Sequence, residues 1–192
     1  QESRIRGYFI EATKETLKGE GLRAVNVRAV SERAGYSFAT LYNYFKDLNE
    51  LVFICVQDFM NECEGFTVGQ SVNARPGKDR LKARMKAYIG YFTQYPGIFE
   101  LFYIERMNDL GARQPTARMI YEFTDRIIHD DLTHLIDNGD MNREQAELTG
   151  LNLKNSIAGL LLLFNNRLQP AEYLDFLAVA DKQIDISLSL IK

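Results

Sequence analysis

The sequence predicts an all-α protein of about nine helices, with an N-terminal three-helix head that carries a helix-turn-helix and a larger C-terminal helical body. Three observations predict it. Apolar residues recur at three- and four-residue spacing along nearly the whole chain, the period of a helix with one buried face. Gly19-Glu20-Gly21, Gly35, Pro96-Gly97, Gly111, Asn138-Gly139 and Pro170 punctuate those stretches. There is no β-hairpin signal, internal repeat or low-complexity tract.

Taken in order, Ile5, Phe9, Ala12 and Thr16, joined by Tyr8, make one stripe of a first helix that ends at the Gly19-Glu20-Gly21 break. Asn26 is placed to cap a second, two-turn helix whose inner face is Val27, Val30 and Ala34. Gly35 follows, where a left-handed residue commonly ends a helix and glycine adopts it without steric cost. Ser37 then caps a third helix with Leu41 and Phe45 inward and the small or polar Ala39, Thr40, Tyr42 and Asn43 facing elsewhere. Two short helices about one glycine-centred turn are the pattern of a helix-turn-helix, and the same spacing also fits an αα-corner of any helical domain.

Asp47 with Glu50 resembles a capping box and opens a fourth helix through Leu51, Ile54, Cys55 and Phe59 towards Asn61. The stretch Gly65 to Lys78, with three glycines, a proline and no helical stripe, reads as a loop at the domain boundary. Helical spacing resumes over 79–95, 98 to about 108, 115–137, 142 to about 166, and 170–191.

A chain of 192 residues that is 46% hydrophobic can bury a full core. No run approaches the roughly 18 consecutive apolar residues of a membrane span, and the expected location is cytoplasmic. Cys55 and Cys63, eight apart, have neither zinc-ligand nor disulfide-pair spacing and read as reduced packing residues. His129 and His134 miss the four-residue spacing of paired helical ligands, so no metal or other cofactor is expected. No nucleophile motif, phosphate loop or nucleotide fingerprint supports an enzyme. The net charge of −3 is unevenly divided, with +1 on residues 1–50 and −4 on the remainder. Phosphate neutralisation by that small basic excess predicts only modest non-specific affinity for DNA.

In combination, the run from Gly21 to Leu51 resembles the N-terminal domain of the TetR/AcrR family of bacterial transcriptional regulators. The matching residues are Gly21-Leu22, Val27-Arg28, Ala34-Gly35, Ser37, Thr40-Leu41-Tyr42 and Tyr44-Phe45, before a helix beginning near Asp47. The rest of the chain is similar in layout and carries no motif. The resemblance implies three parts: a DNA-binding domain over 1–47, a connecting helix over 48–64, and an effector-binding and dimerisation domain over 65–192.

The same resemblance makes Phe38 to Tyr44 the recognition helix on double-stranded DNA. Thr40 and Asn43 are the expected readers of base edges, and Tyr42 and Tyr44 place hydroxyls on phosphates. Arg28 reaches a guanine edge or the backbone, Ser37 and Lys46 position the head, and Val27 and Ala39 complete the surface. For Tyr44, partial burial against the head is an equal reading. Two residues depart from the family's pattern. Phe38 stands where many relatives have a basic or small residue, and either touches a thymine methyl or covers the head. Leu48 replaces an expected phosphate-binding lysine, for which Lys46 partly compensates.

Useful specificity from so small a head calls for a homodimer on a palindromic operator. The all-round apolar segment Ile157 to Phe164 (Ile157, Leu160, Leu161, Phe164) and the last helix (Phe176, Ala180, Ile184, Leu188) are the expected interface, with a monomer core as the alternative. Tyr88, Tyr91, Phe92, Tyr95, Phe99, Phe102 and Tyr103, followed by Met107, Met119 and Phe123, can line a pocket for a small, largely apolar or aromatic effector, or form plain core. The family implies a repressor released by that effector; the alternative is a DNA-binding protein controlled by a protein partner, without a small-molecule pocket.

Overall fold

Helix α1 (Glu2–Gly19) buries Phe9, Ala12, Thr13, Thr16 and Leu17 along one face. In this computed structural model, which describes residues 2–105, 114–167 and 169–191, nine further α-helices follow. They are α2 (Val27–Ala34), α3 (Phe38–Tyr42), α4 (Leu48–Ser71), α5 (Lys78–Gln94), α6 (Pro96–Tyr103), α7 (Gln114–Tyr121), α8 (Phe123–Asp137), α9 (Arg143–Asn165) and α10 (Tyr173–Ser187). Short 3-10 turns precede α2 and follow α10. No strand occurs among the described residues, and no helix there is long and apolar enough to cross a membrane.

Cα packing divides the chain into two compact units, residues 1–62 with 95–120 and residues 63–94 with 121–192. In the first, Phe9, Leu17, Val30, Leu41, Phe45, Leu51 and Phe59 are essentially solvent-free and join α1 to α4, with Ile98 and Phe99 of α6 also buried. The N-terminus of α6 seats against the end of α1 so closely that a Cβ on Gly97 would lie 2.5 Å from the Lys18 carbonyl oxygen. Lys14, largely buried, reaches Glu62 at 2.5 Å and lies 3.8 Å from Asp58, fastening α1 to α4.

In the second unit, Leu81, Met85, Phe92, Phe123, Leu153, Leu161, Phe176 and Ile184 form the core. The buried carboxylate of Asp131 on α8 accepts from Arg80 Nε at 2.6 Å and Gly77 N at 3.2 Å, and Arg84 stands 3.2 Å away. That ion cluster ties α8 to the start of α5. Asn142 caps α9 in a reciprocal capping box with Gln145.

The structure corrects four expected boundaries. The fourth helix continues to Ser71 through Gly65 and Gly69 instead of ending near Asn61. Cys63, Thr67 and Ser71 prolong its buried face at four-residue spacing, and both glycines have open space on the other side. Burial outweighs an intrinsic cost of about 1 kcal/mol per helical glycine; because two of those buried residues are small and polar, the stripe does not register as apolar. The stretch 115–137 breaks at Glu122 into α7 and α8. Thr116 and Ile120 on one side and Phe123 and Ile127 on the other are all buried, at the three- and four-residue spacing of a single helix, so the sequence pattern does not mark the break. The sixth helix ends at Tyr103, and the last α-helix starts at Tyr173 rather than at Pro170.

Candidate nucleic-acid interface

The turn between α2 and α3 is built from local hydrogen bonds. Asn26 Oδ1 accepts from the Ala29 amide at 2.9 Å, which opens α2. Gly35 closes it with φ 76°, in the left-handed region. Ser37 Oγ accepts from the Thr40 amide at 3.1 Å and starts α3. Asp47 Oδ1 then accepts from the Glu50 amide at 2.9 Å, while Glu50 reaches back to the Lys46 amide at 2.7 Å rather than to that of Asp47. Four polar side chains thus set both ends of the motif with hydrogen bonds of short sequence range.

Val30, Leu41 and Phe45 fill the space beneath, with Ser31 buried beside them. Phe38 and Tyr42 are 65% and 51% exposed, large apolar area for a soluble surface. Ser37, Ala39, Asn43 and Lys46 are exposed beside them, and Val27 and Tyr44 are half-buried. Thr40 is also half-buried, its hydroxyl 2.9 Å from that of Ser37. Arg28 is exposed, but its Nε donates to Glu32 at 2.8 Å. Arg33 is held by Thr16 and by Glu20. Leu48, the second departure, is half-buried at the start of α4.

A family model described as bacterial regulatory proteins of the tetR family matches residues 9–53, from within α1 to the first turns of α4. Over those residues the chain is similar to the tetR family of bacterial regulatory proteins. The HTH-type transcriptional regulator BetI of Klebsiella pneumoniae (strain 342) is 23% identical, with 82% of this chain and 80% of that protein aligned. A putative TetR-family transcriptional regulator from Rhodococcus sp. has the same fold, with a TM-score of 0.77 at 19% identity over 97% of this chain and all of that one. The transcriptional regulator FadR from Bacillus subtilis, solved in complex with stearoyl-CoA, superposes with a TM-score of 0.73 at 15% identity over 97% of this chain and 99% of that one.

The matched family model stops at residue 53, so the residues of the body are placed by the structure alone. The aromatic residues nominated for an effector fall into both units. Tyr88, Tyr91, Phe92 and Phe123 are buried in the second, where the Tyr88 and Phe92 rings are 4.8 Å apart and the Tyr88 hydroxyl is 3.2 Å from that of Thr124. Tyr95, Phe99, Phe102, Tyr103 and Met119 belong to the first, with Phe99 and Tyr103 5.0 Å apart. Met107 lies outside the described residues.

Two openings in the second unit are lined by other residues. One of about 490 Å³ has Phe66, Gly90, Thr93, Gln94, Phe164 and Tyr173 around it. The other, about 570 Å³, is a groove between α8 and α9 with Ile128, Leu132, Ile136 and Leu151 in its wall. His129 is one of its polar residues, and His134 instead bonds to Asn138 at 2.9 Å.

Of the residues nominated for a dimer interface, Ile157, Leu161, Phe176, Ala180, Ile184 and Leu188 are buried within the single chain. Leu160 and Phe164 are half-buried, and the Phe164 ring stacks on Phe176 at 4.1 Å. The outward apolar residues of the same two helices are Leu148, Leu151, Leu162 and Leu163 on α9 and Leu174, Val179 and Ile186 on α10. Cys55 and Cys63 are both buried; burial pushes the Cys55 thiol up to about 12, and that of Cys63 upward as well.

Proposed function

We propose that this protein is a homodimeric transcriptional repressor of the TetR family, bound to a palindromic operator through α3 and released when a small, largely apolar or aromatic molecule fills the body. In this reading residues 1–47 read DNA, 48–64 connect and 65–192 bind the effector and dimerise, in the cytoplasm where the DNA is. The observation that carries it is the outward face of α3. Ala39, Tyr42 and Asn43 stand exposed on a capped helix only five residues long, a shape that suits close approach to base edges in a major groove.

The stearoyl-CoA held by the FadR structure supports an effector with a large apolar part, since that protein shares this fold over nearly its full length. Helix α4 is continuous from Leu48 to Ser71 and belongs to both units, which makes it the proposed carrier of the effector's influence. The effector must bind better to the form whose two heads miss successive major grooves about 34–36 Å apart. A difference of about 1–3 kcal/mol weakens operator binding roughly 5- to 150-fold.

One observation favours a second reading, control by a protein partner. Tyr88, Phe92 and Phe123 are so closely packed that lining a pocket requires their rings to part.

Selection of binding sites from a random duplex pool, at two salt concentrations, tests the proposal. The expected result is an enriched palindrome; a pool that stays random at both salts overturns the DNA-binding reading. Titration of the selected operator complex with acyl-CoA and aromatic compounds then separates effector from partner control.

A further inference from the structure

Binding to phosphates requires cations that the protein has not already neutralised, and the head has few. Lys14 and Lys18 are paired with Glu62, Arg28 with Glu32 and Arg33 with Glu20. Among the eight basic residues of positions 1–50, those without a carboxylate partner among the described residues are Arg4, Arg6, Arg23 and Lys46.

Two of these are held beside the recognition helix by aromatic rings. Arg4 Nε donates to the Tyr8 hydroxyl at 2.9 Å, and the Tyr8 ring stacks on Tyr36 at 6.0 Å, immediately before the Ser37 cap of α3. The Arg6 guanidinium lies 5.2 Å from the Phe45 ring centroid, three residues beyond the end of α3. A five-residue helix is only about 7.5 Å long, so contacts with both of its flanks run the first turns of α1 alongside it. Both arginines are exposed there.

We infer that Arg4 and Arg6 are DNA-phosphate contacts, a basic shoulder on α1 that extends the footprint of α3 onto the sugar-phosphate backbone. The inference rests on the DNA-binding reading. Arginine suits the task, because its planar fork stays charged and grips phosphate while its flat face lies on a ring. The rings hold the two guanidiniums without cancelling their charge. Phosphate contacts carry no sequence information, so the shoulder adds affinity and salt dependence while base preference stays with α3.

The test compares wild type, R4Q/R6Q and R4K/R6K as full-length chains on the selected operator and on a scrambled duplex, from 50 to 200 mM salt. Each lost phosphate contact flattens the slope of log affinity against log salt by about 0.9. With two contacts in each of the two heads of the proposed dimer, R4Q/R6Q is therefore expected to lose nearly four from the slope on both duplexes, which is about a 150-fold smaller drop in affinity across that range. Its selected motif should match that of wild type, and R4K/R6K should keep the wild-type slope. An unchanged slope in a folded R4Q/R6Q, checked by circular dichroism, overturns the inference and leaves the operator reading standing, as does a changed motif. Failure of the wild type itself to bind any duplex overturns both.

Discussion

Asn43 and Lys46 stand three residues apart and illustrate how differently two exposed polar side chains can serve one surface. Asn43 ends α3 with its amide free to offer both a donor and an acceptor to a base edge. Lys46 has a single mobile charge, suited to the backbone. Asn43→Ala is expected to cost about 1–3 kcal/mol per half-site and to relax preference there, whereas Lys46→Ala weakens all duplexes alike and lowers the salt slope by about one for each head bound. Competition binding against single-base operator variants checks both; an Asn43→Ala protein with intact preference removes that residue as a reader. Thr40 is less available than its position in the motif implies, because its hydroxyl is already at hydrogen-bonding distance from Ser37.

Between elements, α1 is the hub of the first unit, and two of its contacts are open to test. Gly97 brings α6 against the Lys18 carbonyl at a distance no side chain fits. Gly97→Ala must push α6 off α1 and is expected to cost about 1–3 kcal/mol, read as a lower midpoint in urea; an unchanged midpoint would mean that the two helices part freely.

The Lys14–Glu62 pair is the second contact. Burial is the largest single influence and opposes the charged form of both groups, but the mutual hydrogen bond together with the attraction of the neighbouring opposite charges outweighs it, raising the lysine and lowering the carboxylate. The stabilisation from Glu62 is therefore present above the ordinary carboxylate value of 4.5 and lost as pH falls through its depressed native value. That from Lys14 is present below 10.5 and lost as pH rises through its raised native value. Glu62 keeps 39% of its side-chain surface in water, so Glu62→Gln is expected to cost about 1 kcal/mol near neutrality and to lose its penalty in acid. A stability difference from wild type that persists unaltered to pH 2 would show that the charge is not responsible.

On the scale of the whole molecule, the outward leucines of α9 and α10 are the apolar surface on which the proposed homodimer would form. Leu163 is 42% and Leu174 78% exposed. Replacing both with glutamate is expected to yield a folded monomer by sedimentation equilibrium and to weaken operator binding, because two linked heads read two half-sites. A double variant that retains the dimer's mass places the interface elsewhere. Buried Leu161 and Ile184 belong to the chain's own core, and changes there test stability instead.

Local chemistry was legible in the sequence wherever the information is local. Asn26, Gly35, Ser37 and Asp47 each cap or close a helix as their types and spacing imply, since a cap needs only neighbours within three or four residues. The family resemblance was legible for the same reason, being concentrated in Gly21 to Leu51. Only tertiary structure decided the rest. Helical period marks an inner face but not which partner covers it, so Ile157 and Leu161 are expected at an interface, with a monomer core as the alternative, and are found buried within the single chain. Periodicity is likewise blind to the Glu122 break, where the buried residues keep the spacing of a single helix, and to the extension of α4, where small polar residues carry the burial. The arginines of α1 carry no motif; what sets them apart is that folding brings Tyr36 onto the ring of Tyr8, the partner of Arg4, and Phe45 beside Arg6.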